Sequence, residues 1–267
     1  MESNTSKRTI RYKVLGDIHG RTNWHSLVED MDENTVVIFV GDYTDPYTKE
    51  GIGYPQMLEQ LKQVVAFKKT NPDNVVLLYG NHDLQYVLGR RETNRYDKWH
   101  AGNLYRFFKE NAHLFDAMYQ IGEKYLISHA GLTKVWYEEM IGPYDPGTTL
   151  SDMVQQVNNL WKTGHEMWFS NDFSPVWVRP YELLSNNIFG LEDREHIQVV
   201  GHTSLNLGRV GSIGLVPSTD KASKAKWKAV IDNPDATSRL IMVDCLDEVT
   251  DCFEIQVETS STDEQDS

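Results

Sequence analysis

Six side chains able to bind a metal stand just past short apolar runs: Asp17, His19, Asp42, Asn81, His129 and His202. Val14-Leu15 leads through Gly16 into Asp17-Ile18-His19, Val36 to Val40 through Gly41 into Asp42, and Val75 to Tyr79 through Gly80 into Asn81-His82-Asp83. Buried strands that end in polar groups are how open α/β sheets build sites. Singly, each residue has an ordinary explanation: a turn cap, a solvated loop, a satisfied core histidine. Their joint placement points to chemistry. Oxygen and imidazole donors without cysteine suit borderline-to-hard divalent ions such as Mn²⁺, Fe²⁺ or Zn²⁺. The set fits two ions sharing a carboxylate, one held by Asp17, His19 and Asp42, the other by Asp42, Asn81, His129 and His202. Two ions about 3.5–4 Å apart clamp a phosphoryl group for in-line attack and acidify a bridging water. Glycine beside five of the six (Gly16, Gly41, Gly80, Gly131, Gly201) would let the backbone approach an ion or phosphate closely.

The elements that must position these groups follow from periodicity. Ile10 to Gly16 alternates as a first strand. Asn23 can cap a helix to about Met31, with Trp24, Leu27, Val28 and Met31 on one face. Thr35 to Val40 is continuously apolar, as expected of a strand covered on both faces. A polar loop to Gly53 precedes a helix with Pro55 in its first turn and Met57, Leu58, Leu61, Val64 and Val65 at helical spacing. Asn71-Pro72-Asp73 breaks that helix before the third strand. This β-α-β-α-β order implies parallel pairing with right-handed crossovers. Residues 84–118 read as helical around a charged interruption from Arg90 to Lys98. Met118 to Ile121 and Lys124 to Ser128 form a hairpin about Gly122-Glu123. Residues 133–170 are helical with a break at 142–147, and 171–190 are irregular and aromatic. Ile197 to Gly201 is another strand. Further strands at 208–216, 226–231, 239–244 and 252–257 make a second, β-rich half facing the first.

A length of 267 residues suffices for a large core, and 40% hydrophobic with 24% charged residues is ordinary for a globular chain. The net charge of −13 argues against an electrostatic footprint for nucleic acid or an anionic membrane. Phosphate substrates stay open, because bound cations reverse the sign of a local cleft. Cys245 and Cys252 are too few for a disulfide scaffold and read as reduced thiols on neighbouring strands. With no leader-like apolar region and no run long enough to span a membrane, a cytoplasmic protein is expected. The organisation expected is a disordered N-terminus over 1–9, one domain over 10–257 and an acidic disordered tail over 258–267.

The blocks GDIHG (16–20), GDYTD (41–45), GNHD (80–83), HAGL (129–132) and GHT (201–203), in this order, resemble the signatures of the calcineurin-like metallophosphoesterases, most closely the phosphoprotein phosphatase branch. The resemblance spans residues 16 to 203, and the strands from Ile231-Asp232 onward are similar to that family's C-terminal sheet. It implies a four-layer α/β/β/α sandwich with a di-metal site between two mixed sheets. It implies that the six residues above are the ligands, with Asp42 bridging, and that Mn²⁺ is the favoured ion, Fe or Zn being alternatives. His82 would be the general acid and Asp45 its orienting carboxylate. Arg179, in Val176-Trp177-Val178-Arg179-Pro180, would bind the substrate phosphate. Asp83 is expected to cap a helix rather than ligate.

One departure stands out. The family's second block usually continues Asp-Arg-Gly, its arginine binding phosphate, whereas Asp45 is followed by Pro46-Tyr47. Arg90 and Arg91 are the candidate replacements; the alternative is a solvated charged stretch together with Glu92 and Arg95. The function expected is a di-metal phosphoesterase acting on phosphomonoesters, protein serine/threonine phosphate or a small phosphoester, by attack of a metal-bridging hydroxide. GNHDL and HAGL look more like bacterial and phage branches, which include symmetrical diadenosine tetraphosphatases, so a nucleotide pyrophosphohydrolase is a second reading. A nuclease fits the acidic charge poorly. A non-catalytic metal-binding interaction module is the reading from another class, and the presence of all six ligands with His82 and Asp45 opposes it. Trp161, Trp168, Phe169, Phe173, Trp177 and Tyr181 fit core packing, with nucleobase stacking as the alternative.

Overall fold

Val14, Ile38, Val76 and Leu78 pack in one apolar cluster, while Leu15, Val37, Phe39, Val75 and Leu77, their neighbours along the same strands, pack in another. Successive side chains of a strand face opposite ways. The two clusters therefore lie on opposite faces of one sheet, which is why the runs Val36 to Val40 and Val75 to Leu78 are continuously apolar rather than alternating. The computed structural model describes residues 7–190, 193, 195–204, 229–233, 236–244, 246 and 250–260. The first sheet has the order β10-β1-β2-β3-β4: β1 (Lys7–Leu15), β2 (Thr35–Phe39), β3 (Val75–Leu78) and β4 (Phe115–Asp116) run parallel, and β10 (Phe253–Ser260) is antiparallel at the edge.

The second sheet has the order β5-β6-β7-β9-β8. The expected hairpin joins β5 (Met118–Ile121) and β6 (Tyr125–Ser128), β6 pairs parallel with β7 (Ile197–Val200), and β7 parallel with β9 (Ala236–Met242). β8 (Ala229–Asn233) closes the edge antiparallel to β9. Ile127, Val199, Leu240 and Met242 share the cluster of Val14 and Ile38, so that cluster fills the space between two mixed sheets. On the outer faces, Trp24 of α1 (Trp24–Val28) and Leu61 and Val64 of α2 (Tyr54–Thr70) cover the first sheet. Trp136 of α5 (Lys134–Met140) and Met153 and Val157 of α6 (Leu150–Lys162) cover the second. This is the four-layer α/β/β/α arrangement. Tyr79, Phe115 and Trp161 seal its side, the Tyr79 ring lying 4.7 Å from Phe115 and 4.2 Å from Trp161.

Several elements differ from expectation. The helix after Asn23 ends at Val28, and Asn23 makes no side-chain cap; its amide donates instead to the Leu246 carbonyl at 3.0 Å. The charged interruption separates α3 (Asn81–Val87) from α4 (Ala101–Asn111), and the chain beyond α4 returns to the first sheet as β4 instead of continuing as helix. A short helix, α7 (Pro180–Ser185), lies inside the segment expected to be irregular. The last strand, β10, joins the first sheet beside β1 instead of the second half. Only pairing in three dimensions could decide this, because its pattern fits either edge. The β1–β10 ladder pairs Lys7 with Ser260, so regular structure runs past both expected domain limits. The expected strand at 208–216 and Cys245 lie outside the described residues, and Cys252 is a buried free thiol.

Candidate metal centre

Because β1, β2 and β3 run parallel, the segments after them emerge on one edge of the first sheet, delivering Asp17 and His19, Asp42, and Asn81 and His82. β6 and β7, parallel in the second sheet, deliver His129 and His202. All seven are buried. One donor atom each of Asp17, Asp42 and His129 lies within 4.8 Å of the other two. Asp42 sits between two groups: Oδ2 is 3.6 Å from His19 Nε2, and Oδ1 is 3.5 Å from His129 Nε2. His129 Nε2 and His202 Nδ1 lie 3.0 and 2.9 Å from the same atom, Asn81 Oδ1.

The far nitrogen of each histidine faces a backbone carbonyl. His19 Nδ1 is 2.6 Å from Thr44 O, His129 Nδ1 3.0 Å from Val40 O, and His202 Nε2 3.0 Å from Trp177 O. A neutral imidazole has one N–H. Donated to those carbonyls, it leaves three bare nitrogens turned inward toward Asp42, Asp17 and Asn81 oxygens. Acceptors thus converge on acceptors with no proton between them.

Backbone strain marks the same place. Among the described residues the non-glycine positions with left-handed backbone are His19 (φ 46°), Asp42 (53°), Asp45 (56°) and His202 (63°). Such conformations cost about 1–3 kcal/mol each and gather at functional sites. Two glycines serve this packing rather than an approach to phosphate. A Cβ at Gly80 would lie 2.1 Å from Asp42 Oδ1, and one at Gly201 2.2 Å from Asp17 Oδ1.

The family model of calcineurin-like phosphoesterases matches residues 10–235. The chain belongs to the calcineurin-like phosphoesterase family. It is a metal-dependent phosphoesterase, and the family implies a di-metal centre. Among solved structures, a protein serine/threonine phosphatase from Saccharomyces cerevisiae aligns over 96% of this chain and 82% of its own at 13% identity, with a TM-score of 0.49. A metallophosphoesterase from Sphaerobacter thermophilus aligns over 73% of this chain and 60% of its own at 14% identity, TM-score 0.34, so this chain spans less than two thirds of it. No described helix of the phosphoesterase is long and apolar enough to cross a membrane.

The residues present fit divalent cations. His19 Nε2 is buried without a hydrogen-bond partner, an exception that calls for an explanation such as an ion. Burial, and then Asp42, push the Asp17 carboxyl well up; burial, and then Asp83, do the same to Asp42. Burial pushes His129 down to about 3 and His19 and His202 well down. An interior that disfavours both carboxylate charge and imidazolium charge, yet collects bare acceptors, matches what a cation would compensate.

Beside this set, His82 Nδ1 lies 2.8 Å from Asp45 Oδ2. Asp83 caps as expected: its Oδ2 accepts from Gly80 N at 3.1 Å and its Oδ1 from Tyr43 N at 3.0 Å, fastening the loop after β2 to α3. Arg179, at the start of α7, lines the cleft and donates to Thr203 Oγ1 at 3.2 Å. Arg90 and Arg91 are not among the lining residues of the phosphoesterase cleft. Arg90 is taken up by Glu92 and by Ser170 Oγ at 3.0 Å, and Arg91 by Thr93 O at 2.9 Å.

Sequence reasoning missed the second layer. Gln85 and Tyr86 both donate to Asp45. Their signal was available, since three and four residues past His82 on a helix is its own face. Arg95 and Tyr47 also line the cleft, and loop residues give no periodic signal.

Proposed function

We propose that the cleft hydrolyses phosphomonoesters, with manganese as the working ion and a phosphorylated serine or threonine side chain or a small phosphoester as substrate. The observation that carries this reading is the convergence of Asp17, His19, Asp42, Asn81, His129 and His202 acceptor atoms, with Asp42 facing both groups. These six residues would hold two ions, Asp42 reaching both. Two divalent ions supply Lewis-acid activation of water and neutralise charge on the phosphoryl group.

The chain's own residues do the rest. Asp45 accepts the Nδ1 proton of His82 and fixes that tautomer, which leaves Nε2 to carry a proton to the departing oxygen. Burial, and then Arg95, push His82 well below its ordinary range, while burial pushes Asp45 up to about 8. An incoming phosphate sets negative charge beside the ring, and negative charge favours the protonated imidazole. Arg179 binds a phosphoryl oxygen from the edge of the cleft.

A manganese-supplemented assay on p-nitrophenyl phosphate, a phosphoserine peptide, diadenosine tetraphosphate and a cyclic nucleotide tests the reading. Turnover of the first two, lost on chelation and restored by Mn²⁺, is the expected result. Turnover of diadenosine tetraphosphate alone would replace it with the pyrophosphohydrolase reading, and none at all would overturn it.

A further inference from the structure

Among the described residues, two arginines line the cleft from distant parts of the chain, Arg95 and Arg179. The others described near it are spoken for. Arg21 forms a two-pronged pair with Glu50 at 2.9 and 2.8 Å, and Arg90 is held by Glu92. Among the described residues, neither Arg95 nor Arg179 has a carboxylate within ion-pair distance. Arg95 donates to the Asp45 carbonyl at 2.7 Å, and its Nη2 lies 2.8 Å from His82 Nε2. Its guanidinium lies over the Tyr47 ring, 3.9 Å from the centroid. The half-buried guanidinium touches an imidazole, a carbonyl and an aromatic face, and none of these is a carboxylate.

We infer that Arg95 is a substrate-binding residue that grips the phosphoryl group beside His82. This rests on the phosphoesterase reading of the cleft. The contact it makes now is the weaker one available to it. A phosphoryl oxygen is a charged acceptor and forms a stronger hydrogen bond with guanidinium than a neutral ring nitrogen does. Nε2 of His82 is also the atom that faces the departing oxygen, so a group already at Nε2 stands where the phosphoester must lie.

The position is built, not accidental. Gln85 Oε1 accepts from the backbone N–H groups of Glu92 and Thr93 at 3.3 and 3.1 Å, and the Tyr86 hydroxyl accepts from Asp97 N at 2.8 Å. The Tyr86 and Tyr96 rings stack at 5.1 Å. The residues that fix Asp45 therefore also fix the loop on either side of Arg95. Tyr47 supplies a flat face that holds the guanidinium plane while leaving donors at its edge, as cation–π stacking does.

The test uses the full chain loaded with manganese. Arg95→Ala, Arg95→Lys and the control Arg106→Ala, on the exposed side of α4, are compared for binding of inorganic phosphate by calorimetry, for KM and kcat on p-nitrophenyl phosphate, and for bound manganese. Arg95→Ala should weaken phosphate binding by about 10–100-fold, the scale of hydrogen bonds to a charged group. Manganese content should stay unchanged. Arg95→Lys should fall between, and added guanidinium should restore part of the lost turnover in Arg95→Ala. Wild-type phosphate affinity in Arg95→Ala would overturn the inference, and so would loss of manganese along with activity, which would make Arg95 a structural support. A wild type that binds phosphate through Arg95 yet turns over no ester would sink the functional reading and leave this one standing.

Discussion

Nδ1 of His82 and Oδ2 of Asp45 are 2.8 Å apart, although Asp45 lies in the loop after β2 and His82 in the first turn of α3. The pair is enclosed: the other Asp45 oxygen takes the Tyr86 hydroxyl, and Gln85 adds a third donor. A carboxylate so held has little freedom to turn away, so the imidazole it orients keeps one tautomer and one direction.

His82→Asn should therefore hurt most where the leaving group needs a proton. Loss of a positioned general acid costs about 10²–10⁴-fold. We expect that loss in kcat on a phosphoserine peptide, and a much smaller one on p-nitrophenyl phosphate, whose phenolate departs without a proton. Equal losses on both substrates would remove His82 from the proton-donor role.

Asp42→Asn keeps the shape of the side chain but halves its claim on cations. Because its two oxygens face His19 and His129 separately, both groups should weaken together. Manganese per chain, read by elemental analysis after dialysis, should fall. Turnover should drop about a thousandfold, the equivalent of several kcal/mol of charge stabilisation.

Gly201→Ala tests the close approach of β7 to Asp17. The added methyl would stand 2.2 Å from Asp17 Oδ1. Overpacking of this kind costs about 1–3 kcal/mol. Thermal melts should show a lower Tm, and the melt with manganese should lose more of its metal-dependent increment than wild type, because the carboxylate that must move is the one near the ions.

Tyr86→Phe removes one hydroxyl that serves two masters, Asp45 and the Asp97 backbone N–H. Leaving the buried Asp45 Oδ1 and the half-buried Asp97 N–H without this partner should cost about 1–3 kcal/mol in urea unfolding. Phosphate affinity should also fall, since the loop that carries Arg95 loses an anchor, whereas bound manganese should not change.

Much of this was legible in the sequence, for a definite reason. A buried parallel strand is a continuous apolar run, and its polar C-terminal neighbours stand out by contrast; this singles out Asp17, His19, Asp42, Asn81 and His82. The helix-capping role of Asp83 was legible in the same way, from a carboxylate in the first turn after Gly80. The residues of the charged interruption were not separable. Arg90, Arg91 and Arg95 have the same type and the same loop context, and their sequence positions do not show that Glu92 and Ser170 take up one while Tyr47 and His82 receive another.

The sequence by itself determined the strand ends, and with them which side chains of this phosphoesterase gather at one edge. Local pattern suffices for that, because burial and turn chemistry act over a few residues. Tertiary structure decided the pairings across long separations: β10 against β1, Asp42 between His19 and His129, and Arg95 rather than Arg90 in the cleft. Each depends on which surfaces meet when the two sheets close on each other, and no short-range preference encodes that choice.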